Sequence, residues 1–313
     1  MSRMLLLLPE RARLAGPLPA VVATALGRGA QTGAAAGTRA QLQRHFRLLP
    51  AHWPVAALTR QMDAGDAGDA CWLRADPAYV APEMNGARLL GWSEGLGVDA
   101  DDVRELLPAL RPLFGDAGFA LDSPHPARWY LRLPAGTVLP ALPDPGDAVG
   151  ADLFAAMPQG SDPAARRWRA LMTEVQVTLH QHPRNRVRAA AGRPAINALW
   201  FWGAGRMPDA VDSDLRHLRS PDPTLRALAN AAGVALDSET GNGRGTGDSL
   251  VDLRHLRGVE PFAGQALMPL LDALARGEID QLRLDFEDGL LIDLRQAQRR
   301  WRFWRRPLPD LGV

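Results

Sequence analysis

The segment His182–Gly205 holds the side chains of this sequence that are best suited to bind an anion. Two asparagines, three arginines and two glycines make up this candidate site: Asn185, Arg186, Arg188, Arg193, Asn197, Gly203 and Gly205. A planar guanidinium group binds a phosphate or carboxylate through two parallel hydrogen bonds, and a Gly-x-Gly pair lets backbone amides approach an anion. A second interpretation is that the asparagines hold the loop backbone while the arginines stay in solvent. The residue types alone leave both interpretations open.

A second set of candidate side chains comes from the six-residue string DLRHLR, which occurs twice. In a helix, each copy would place an aspartate and a histidine on one face, so that Asp214, His217, Asp252 and His255 together could hold a divalent cation. The alternative is a coincidental repeat in a chain rich in Leu, Arg and Asp, with each Asp–His pair a surface ion pair. We favour this alternative and expect no metal from these residues.

Arginine and aromatic residues are concentrated in RRWRFWRRP at positions 299–307. Such a segment could stack on the bases of single-stranded RNA or lie on a membrane surface. In the interpretation that we favour, Trp301, Phe303 and Trp304 pack on the core and the arginines cover them.

The composition of the chain excludes several classes of site. The 313 residues contain 36 basic side chains, all of them arginine, and 35 carboxylates, so the formal net charge is only +1. A chain without lysine has no Schiff-base or P-loop lysine, and its near-zero charge argues against nucleic acid and anionic membranes as partners. Cys71 is the only cysteine, which excludes an internal disulfide and suits a reducing cytosol. The run MLLLL is too short to span a membrane, and we predict that it forms a buried first strand of a cytoplasmic protein.

Helices and strands are predicted to alternate along the chain. Asp99 precedes one predicted helix, and Ser161 precedes a longer one. The stretches RWYLRL and AINALWFW are predicted strands, the second of them buried. The clearest local pattern is DQLRLDFEDGLLIDL, in which two strands of alternating polarity are joined by a turn at Asp288 and Gly289. Together these elements predict an α/β fold with a mixed sheet.

The order of several motifs resembles the archaeal-type, cofactor-independent phosphoglycerate mutases of the alkaline-phosphatase superfamily. The motifs are ACWLRADPAYVAPEMNGARLLG, the helix after Asp99, RWYLRL, DPGDAVG and LHQHPRNRVRAAAGRPAINALWFWGAG, and they cover residues 66–205. The stretches MLLLLPERARLAG, LWFWGAG and WRFWRRP resemble more closely the RpfE-type bacterial regulatory proteins, and this likeness runs nearly end to end. The resemblance implies a degenerate alkaline-phosphatase-like sandwich. Residues 1–65 and 206–313 would form its reduced core, and residues 66–205 an inserted α/β cap-like domain similar to the mutase substrate-binding domain.

The resemblance also implies where a catalytic centre would lie, and the sequence departs from the family there. In the superfamily, a Ser or Thr nucleophile and two divalent metals held by Asp and His transfer the phosphoryl group. The family's Asp-Gly after the first strand is replaced by Pro9-Glu10, and Gly37 stands where the nucleophilic serine belongs, which leaves Thr38 as the only hydroxyl. No histidine follows His255 to serve as a late metal ligand, and Trp202 replaces a phosphate-binding arginine.

We therefore expect a non-catalytic, phosphoglycerate-mutase-like regulatory or accessory protein. It would need no cofactor and would bind a small phosphorylated or carboxylated metabolite, or a protein partner. One alternative is an active mutase or phosphatase that uses Thr38 together with manganese or zinc at the two DLRHLR strings. The other is an interaction module that reaches a protein or RNA through the segment at 299–307.

Overall fold

The computed structural model describes residues 2–83, 86–148, 158, 162–238, 247–296 and 304–312. The chain divides into two compact units. We call Met1–Leu49 with Ala210–Val313 the split unit, and Pro50–Asp209 the inserted unit. The predicted division placed residues 50–65 with the outer segments. They belong instead to the inserted unit, because the helix that they contain packs on strands of that unit.

Strands occur in both units. In chain order the described strands are β1 Arg3–Leu8, β2 Ala30–Gly33, β3 Arg47–Leu49, β4 Cys71–Glu83, β5 Gly86–Trp92, β6 Ala120–His125, β7 Arg128–Leu133, β8 Ala198–Gly205, β9 Ala210–Asp212, β10 His217–Arg219, β11 Ala235–Leu236, β12 Ser249–Asp252, β13 Gln281–Phe286 and β14 Leu290–Arg295.

The described α-helices are α1 Ala20–Arg28, α2 Thr38–Gln43, α3 Val55–Ala64, α4 Ala100–Asp116, α5 Pro145–Ala148, α6 Pro163–Gln181, α7 Arg184–Ala190, α8 Pro223–Ala231 and α9 Met268–Arg276. Short 3-10 helices span Arg11–Leu14 and Ser93–Leu96, and a π-helical segment, Pro261–Leu267, leads into α9. None of the helices that the structure describes is long and apolar enough to cross a membrane.

Seven strands of the split unit form one mixed sheet, in the order β11-β10-β12-β1-β13-β14-β2. β1 lies between β12 and β13 and runs parallel to both, whereas β14 is antiparallel to β13 and β2. A strand between two parallel neighbours is usually buried on both faces, which explains the unbroken leucine run of β1. The predicted mixed sheet and buried first strand are confirmed.

The predicted hairpin is formed by β13 and β14. Leu282, Leu284 and Phe286 are fully buried in β13. Gly289 has φ of 88°, and a Cβ atom there would lie 2.3 Å from the carbonyl oxygen of Ala34. The turn therefore requires glycine both for its backbone conformation and for the close approach of a neighbouring chain segment.

An antiparallel sheet forms the centre of the inserted unit, with the strand order β5-β4-β7-β6 and with β8 also paired to β4. Side chains alternate between the two faces of each strand. In β7, Trp129 and Leu131 pack against α4 and α6, whereas Tyr130 packs against α3 on the other face. In β8, Phe201 joins the first of these clusters and Trp202 lies on the opposite face. The two predicted strands RWYLRL and AINALWFW are confirmed.

Aspartates begin the two long helices of the inserted unit. The carboxylate of Asp99 accepts the amide of Asp102 at 2.8 Å, and the Asp102 carboxylate accepts the amide of Asp99 at 3.1 Å, which completes a capping box. At α6, the carboxylate of Asp162 accepts the amide of Ala165 at 2.9 Å. The cap predicted at Ser161, which lies outside the described residues, is therefore one residue too early.

Candidate functional site

Two buried aspartates lie at the carboxyl edge of the parallel strands in the split unit. Asp252 of β12 and Asp285 of β13 are both in register with Leu7 of β1, which lies between them. Residues in register on parallel strands point to the same face, so the two carboxylates share one face, about 10 Å apart. Open α/β sheets bind their ligands beyond this edge. We call the polar residues gathered here the carboxyl-edge cluster: Thr38, Gln41, Arg44, His45, Ser220, Asp222, Asp252, Arg254, Asp285 and Glu287.

Asp285 is paired with two basic side chains that follow α2. Arg44 donates from Nη2 to Oδ1 at 2.6 Å and from Nε to Oδ2 at 2.9 Å. His45 Nε2 lies 3.0 Å from the same Oδ2 atom. Burial raises the pKa of Asp285, but the hydrogen bonds with His45 and Arg44 outweigh burial and hold this pKa below its ordinary value. Asp285 is thus a carboxylate neutralised within the chain.

Hydrogen bonds hold α2 against the ends of β1 and β13. Gln41 Nε2 donates to the carbonyl oxygens of Leu8 at 3.0 Å and of Asp285 at 2.6 Å. Thr38, the catalytic candidate, is the first residue of α2, and its hydroxyl donates to the carboxylate of Glu287. This contact resembles the pairing of a hydroxyl nucleophile with a base.

Asp252 has a similar set of partners on the other side of β1. Arg254 donates from Nε to Oδ1 at 2.8 Å and from Nη2 to Oδ2 at 2.7 Å, and the Ser220 hydroxyl donates to Oδ2 at 2.7 Å. Arg254 Nη2 also donates to Asp222 at 2.6 Å. Burial raises the pKa of Asp252, but the hydrogen bonds from Arg254 outweigh it, so the pKa lies below its ordinary value. This carboxylate too is ionised and paired.

The carboxyl-edge cluster does not fit a pair of divalent metals. A metal ligand must direct a free oxygen or nitrogen lone pair at the ion, and here both oxygens of each aspartate accept hydrogen bonds from guanidinium groups. Within the part of the chain that the structure describes, no three His, Cys, Asp or Glu side chains are grouped so that they could hold one ion. Guanidinium groups therefore neutralise the carboxylates that a metal would need.

The two DLRHLR strings are not helical, so the premise of the four-ligand site was wrong. The first string runs from a loop into β10, and the second runs from the end of β12 into a turn. His217 contacts Asp237 at 3.2 Å, and Asp252 pairs with Arg254. Asp214 and His255 are exposed.

The two asparagines of the candidate anion site hold backbone groups. Asn185 Nδ2 donates to the carbonyl oxygens of Leu179 and Ile196, and its Oδ1 accepts the Ile196 amide at 2.8 Å. Asn197 makes a matching pair with Val80, accepting its amide at 2.8 Å and donating to its carbonyl oxygen at 2.7 Å. Both asparagines therefore hold the loop backbone, as the second interpretation expects.

The three arginines of the candidate anion site have different surroundings. Arg188 is fully buried and donates to the Asp102 carboxylate and to the carbonyl oxygens of Leu96 at 2.6 Å and Pro194 at 2.8 Å. Arg193 Nη1 donates to Asp99 at 2.6 Å. Arg184, which the sequence did not single out, donates to Asp102 at 2.6 Å. Arg186 alone of the three predicted arginines is exposed.

The glycines of the candidate anion site let β8 approach the start of α3. Gly203 has φ of 67°, and a Cβ atom there would lie 3.0 Å from Cβ of Val55. At Gly205, an added Cβ would lie 2.6 Å from Cβ of Pro54. Close packing between backbone segments therefore explains both glycines.

A buried polar network on the α3 face of the sheet was missed at the level of sequence. Arg74 donates from Nε and Nη2 to the two oxygens of Asp76 at 2.8 and 2.9 Å, and Trp202 Nε1 donates to Asp76 at 2.7 Å. Burial raises the pKa of Asp76 to about 6, although Arg74 opposes the shift. Beside this pair, Asp63 accepts hydrogen bonds from Arg128 and Tyr130. The signal was the alternation of polar residues in β4 and β7, which marks one face of each strand as polar.

Part of the arginine-rich segment lies outside the described residues, including Trp301 and Phe303. Trp304 is 67% exposed, so the prediction that it packs on the core is wrong. Arg305 Nη1 donates to the carbonyl oxygen of Gly29 at 3.0 Å, and Leu311 is buried. The chain beyond Trp304 thus packs on the split unit and leaves this tryptophan exposed.

No family model matches this sequence. A probable 2,3-bisphosphoglycerate-independent phosphoglycerate mutase from Geobacter sulfurreducens (strain ATCC 51573 / DSM 12127 / PCA) is 27% identical over 159 residues. The alignment covers 50% of this chain and 38% of that protein, so the similarity spans well under half of the mutase.

Two solved structures share weak overall similarity with the chain. One is a cofactor-independent phosphoglycerate mutase from Thermoplasma acidophilum DSM 1728, with a TM-score of 0.42 and 16% identity over 93% of this chain and 88% of that chain. The other is the PH0037 protein from Pyrococcus horikoshii, with a TM-score of 0.42 and 12% identity over 93% of this chain and 87% of that chain. At these values the structural similarity assigns no activity.

Proposed function

We propose that this chain is a phosphoglycerate-mutase-like regulatory or accessory protein of the RpfE type. It acts in the cytosol, binds a small phosphorylated or carboxylated metabolite, and does not transfer phosphoryl groups. The sequence similarity to a probable mutase supports the first part of the proposal. The arginine pairing of Asp252 and Asp285 supports the loss of catalysis, and it is the observation on which the proposal depends.

Metal-dependent phosphoryl transfer needs cations that neutralise the phosphate and activate the nucleophile. In the carboxyl-edge cluster, Arg44 and Arg254 already neutralise the two buried aspartates. Guanidinium groups remain protonated at every physiological pH, so no change of pH releases these carboxylates. A divalent ion would have to displace both arginines from partly buried ion pairs, which is costly. The arrangement therefore disfavours metal-dependent phosphoryl transfer.

The experiment is an assay of 2- and 3-phosphoglycerate interconversion with manganese, combined with elemental analysis of the purified protein. We expect no turnover above the buffer rate and less than one equivalent of tightly bound divalent metal. Turnover that depends on manganese would refute the loss of catalysis, and a stoichiometric pair of bound metal ions would refute the argument from the arginines.

The contact between Thr38 and Glu287 favours a second candidate function, a mutase or phosphatase. In that case Thr38→Val and Glu287→Gln would each abolish turnover, because the first removes the hydroxyl and the second weakens the base. Thr24→Val is a matched control, since the Thr24 hydroxyl only donates to a carbonyl oxygen within α1. Equal activity of the three variants would exclude Thr38 as the nucleophile.

A further inference from the structure

We propose that a cavity in the inserted unit binds a small zwitterion of the α-amino acid type, with Arg132 and Asp69 as its charged contacts. The inference rests on the proposed role as a metabolite-binding protein and names the class of ligand. The cavity has a volume of about 300 Å³ and lies between the sheet, α3 and the loop at 65–70. That volume is at the lower end of the range for small-molecule sites.

The floor of the cavity is built by neighbouring strands. Trp72 of β4 is paired in register with Arg132 of β7, and Arg132 is paired in turn with Ala120 of β6. Residues in register across a sheet lie side by side on one face. Trp72 and Ala120 therefore give the floor an apolar surface, and Arg132 places a positive charge on it.

One wall of the cavity is held in place by Arg60 of α3. Its Nε and Nη2 atoms donate to the two oxygens of Asp66 at 2.5 and 2.6 Å, and its Nη1 atom donates to Asp122 at 2.6 Å. The guanidinium carbon lies 4.6 Å from the centre of the Trp72 ring, which is a cation–π contact. Because these partners occupy Arg60, it orders the wall and is not itself free to bind a ligand.

Two side chains of opposite charge in the cavity, Arg132 and Asp69, have no hydrogen-bonding partner among the residues that the structure describes. The side chains of Arg132 and Asp69 line the cavity and are exposed, and neither forms a hydrogen bond or ion pair within the described ranges. The positive charge of Arg132 also contributes to the lowered pKa of Asp66 on the cavity wall. A ligand with a carboxylate and an ammonium group offers each of these side chains a partner of opposite charge. Three aspartates and two arginines line the space, Asp66, Asp69 and Asp122 against Arg60 and Arg132, so its net charge is −1. This excess disfavours a phosphate or another simple anion, whereas a zwitterion carries no net charge for it to repel.

The first experiment is titration calorimetry of the full chain with each of the twenty standard amino acids, and with inorganic phosphate as a separate probe. We expect saturable binding of at least one amino acid and none of phosphate. The N-acetyl derivative of the best ligand lacks the ammonium group, and its amide lacks the carboxylate. Each should bind at least about tenfold more weakly, since each loses one charged hydrogen bond.

Variants then locate the site. Arg132→Gln and Asp69→Asn should each weaken binding about tenfold or more, whereas Arg111→Gln and Asp116→Asn make the same changes of charge on the exposed surface of α4 and should not. The inference is overturned if no amino acid binds, if phosphate binds more tightly, or if both cavity variants bind as the wild type does. Phosphoglycerate turnover would refute the proposed function while leaving a cavity result intact, so the two failures can be told apart.

Discussion

Arg186 and Arg188 are two residues apart in α7 and have opposite surroundings. Arg186 is exposed, whereas Arg188 is fully buried and its guanidinium group donates to Asp102 and to two carbonyl oxygens. A buried guanidinium group with this many partners is structural, because a ligand would have to break those contacts before it could bind.

We expect Arg188→Met to lower the free energy of unfolding by about 3 kcal/mol, because it leaves Asp102 with fewer partners and removes the donor from the buried carbonyl oxygen of Leu96. Arg186→Met is the matched control and should change stability by less than about 0.5 kcal/mol. Urea denaturation of both variants measures the difference. Equal stability of the two would show that the buried pairing does not exist in solution.

At the scale of elements, β4 and β7 have one apolar face, which packs under α4 and α6, and one more polar face, which lies toward α3. Their odd-numbered residues Leu73, Trp129 and Leu131 enter the core under α4 and α6, while Arg74 and Tyr130 face α3. The polar face accounts for the buried network and for the floor of the cavity. β8 packs against the start of α3, and its glycines allow the two backbone segments to come into close contact.

Gly203→Ala should destabilise the protein by about 3 kcal/mol, because alanine is strained at positive φ and its Cβ would press on Val55. Gly192 has a similar φ of 69° but no atom within 4 Å of the added Cβ, so Gly192→Ala should cost only about 1 kcal/mol. Thermal unfolding of the two variants separates backbone strain from packing. Equal losses would mean that β8 and α3 are less closely packed than the structure shows.

At the scale of the whole molecule, 36 arginines balance 35 carboxylates, and many of the pairs are partly buried. Burial raises the pKa of Asp99, but the hydrogen bonds from the Asp102 amide and from Arg193 hold it at about 2. The pKa of Asp252 and of Asp285 also lies below its ordinary value. The pKa of Asp76 shifts in the opposite direction, because burial raises it to about 6.

These shifts predict how stability depends on pH. Carboxylates with a lowered pKa stabilise the fold above the unfolded value of 3.8, and this contribution is lost as the pH falls toward about 2. The folded state holds the proton of Asp76 more tightly than the unfolded chain does, so stability falls as the pH rises from 3.8 through about 6. Urea midpoints across this range should therefore pass through a maximum. Asp76→Asn should remove the fall in the urea midpoint between pH 3.8 and about 6, and it should leave the fall toward pH 2 unchanged. If the variant kept the fall between pH 3.8 and about 6, a group other than Asp76 would be responsible for it.

Local patterns within the sequence were enough to predict most elements. The hairpin of β13 and β14, the helix after Asp99 and the strand β7 each follow from neighbours within a few residues, which is the range over which periodicity and capping act. The departures from the resembled mutase pattern at Gly37 and Pro9-Glu10 were also argued from the sequence alone, and they remain a prediction.

Only the tertiary structure decided which charges meet. Arg188 pairs with an aspartate 86 residues away, and Arg44 pairs with one 241 residues away. The helical premise for the DLRHLR strings failed because both strings lie at strand ends, where the parallel pairing of β10 and β12 determines the backbone. The cavity beside Arg132 depends on three strands in register. Sequence spacing describes neighbours along the chain, whereas ion pairs and cavities depend on which distant segments folding brings together.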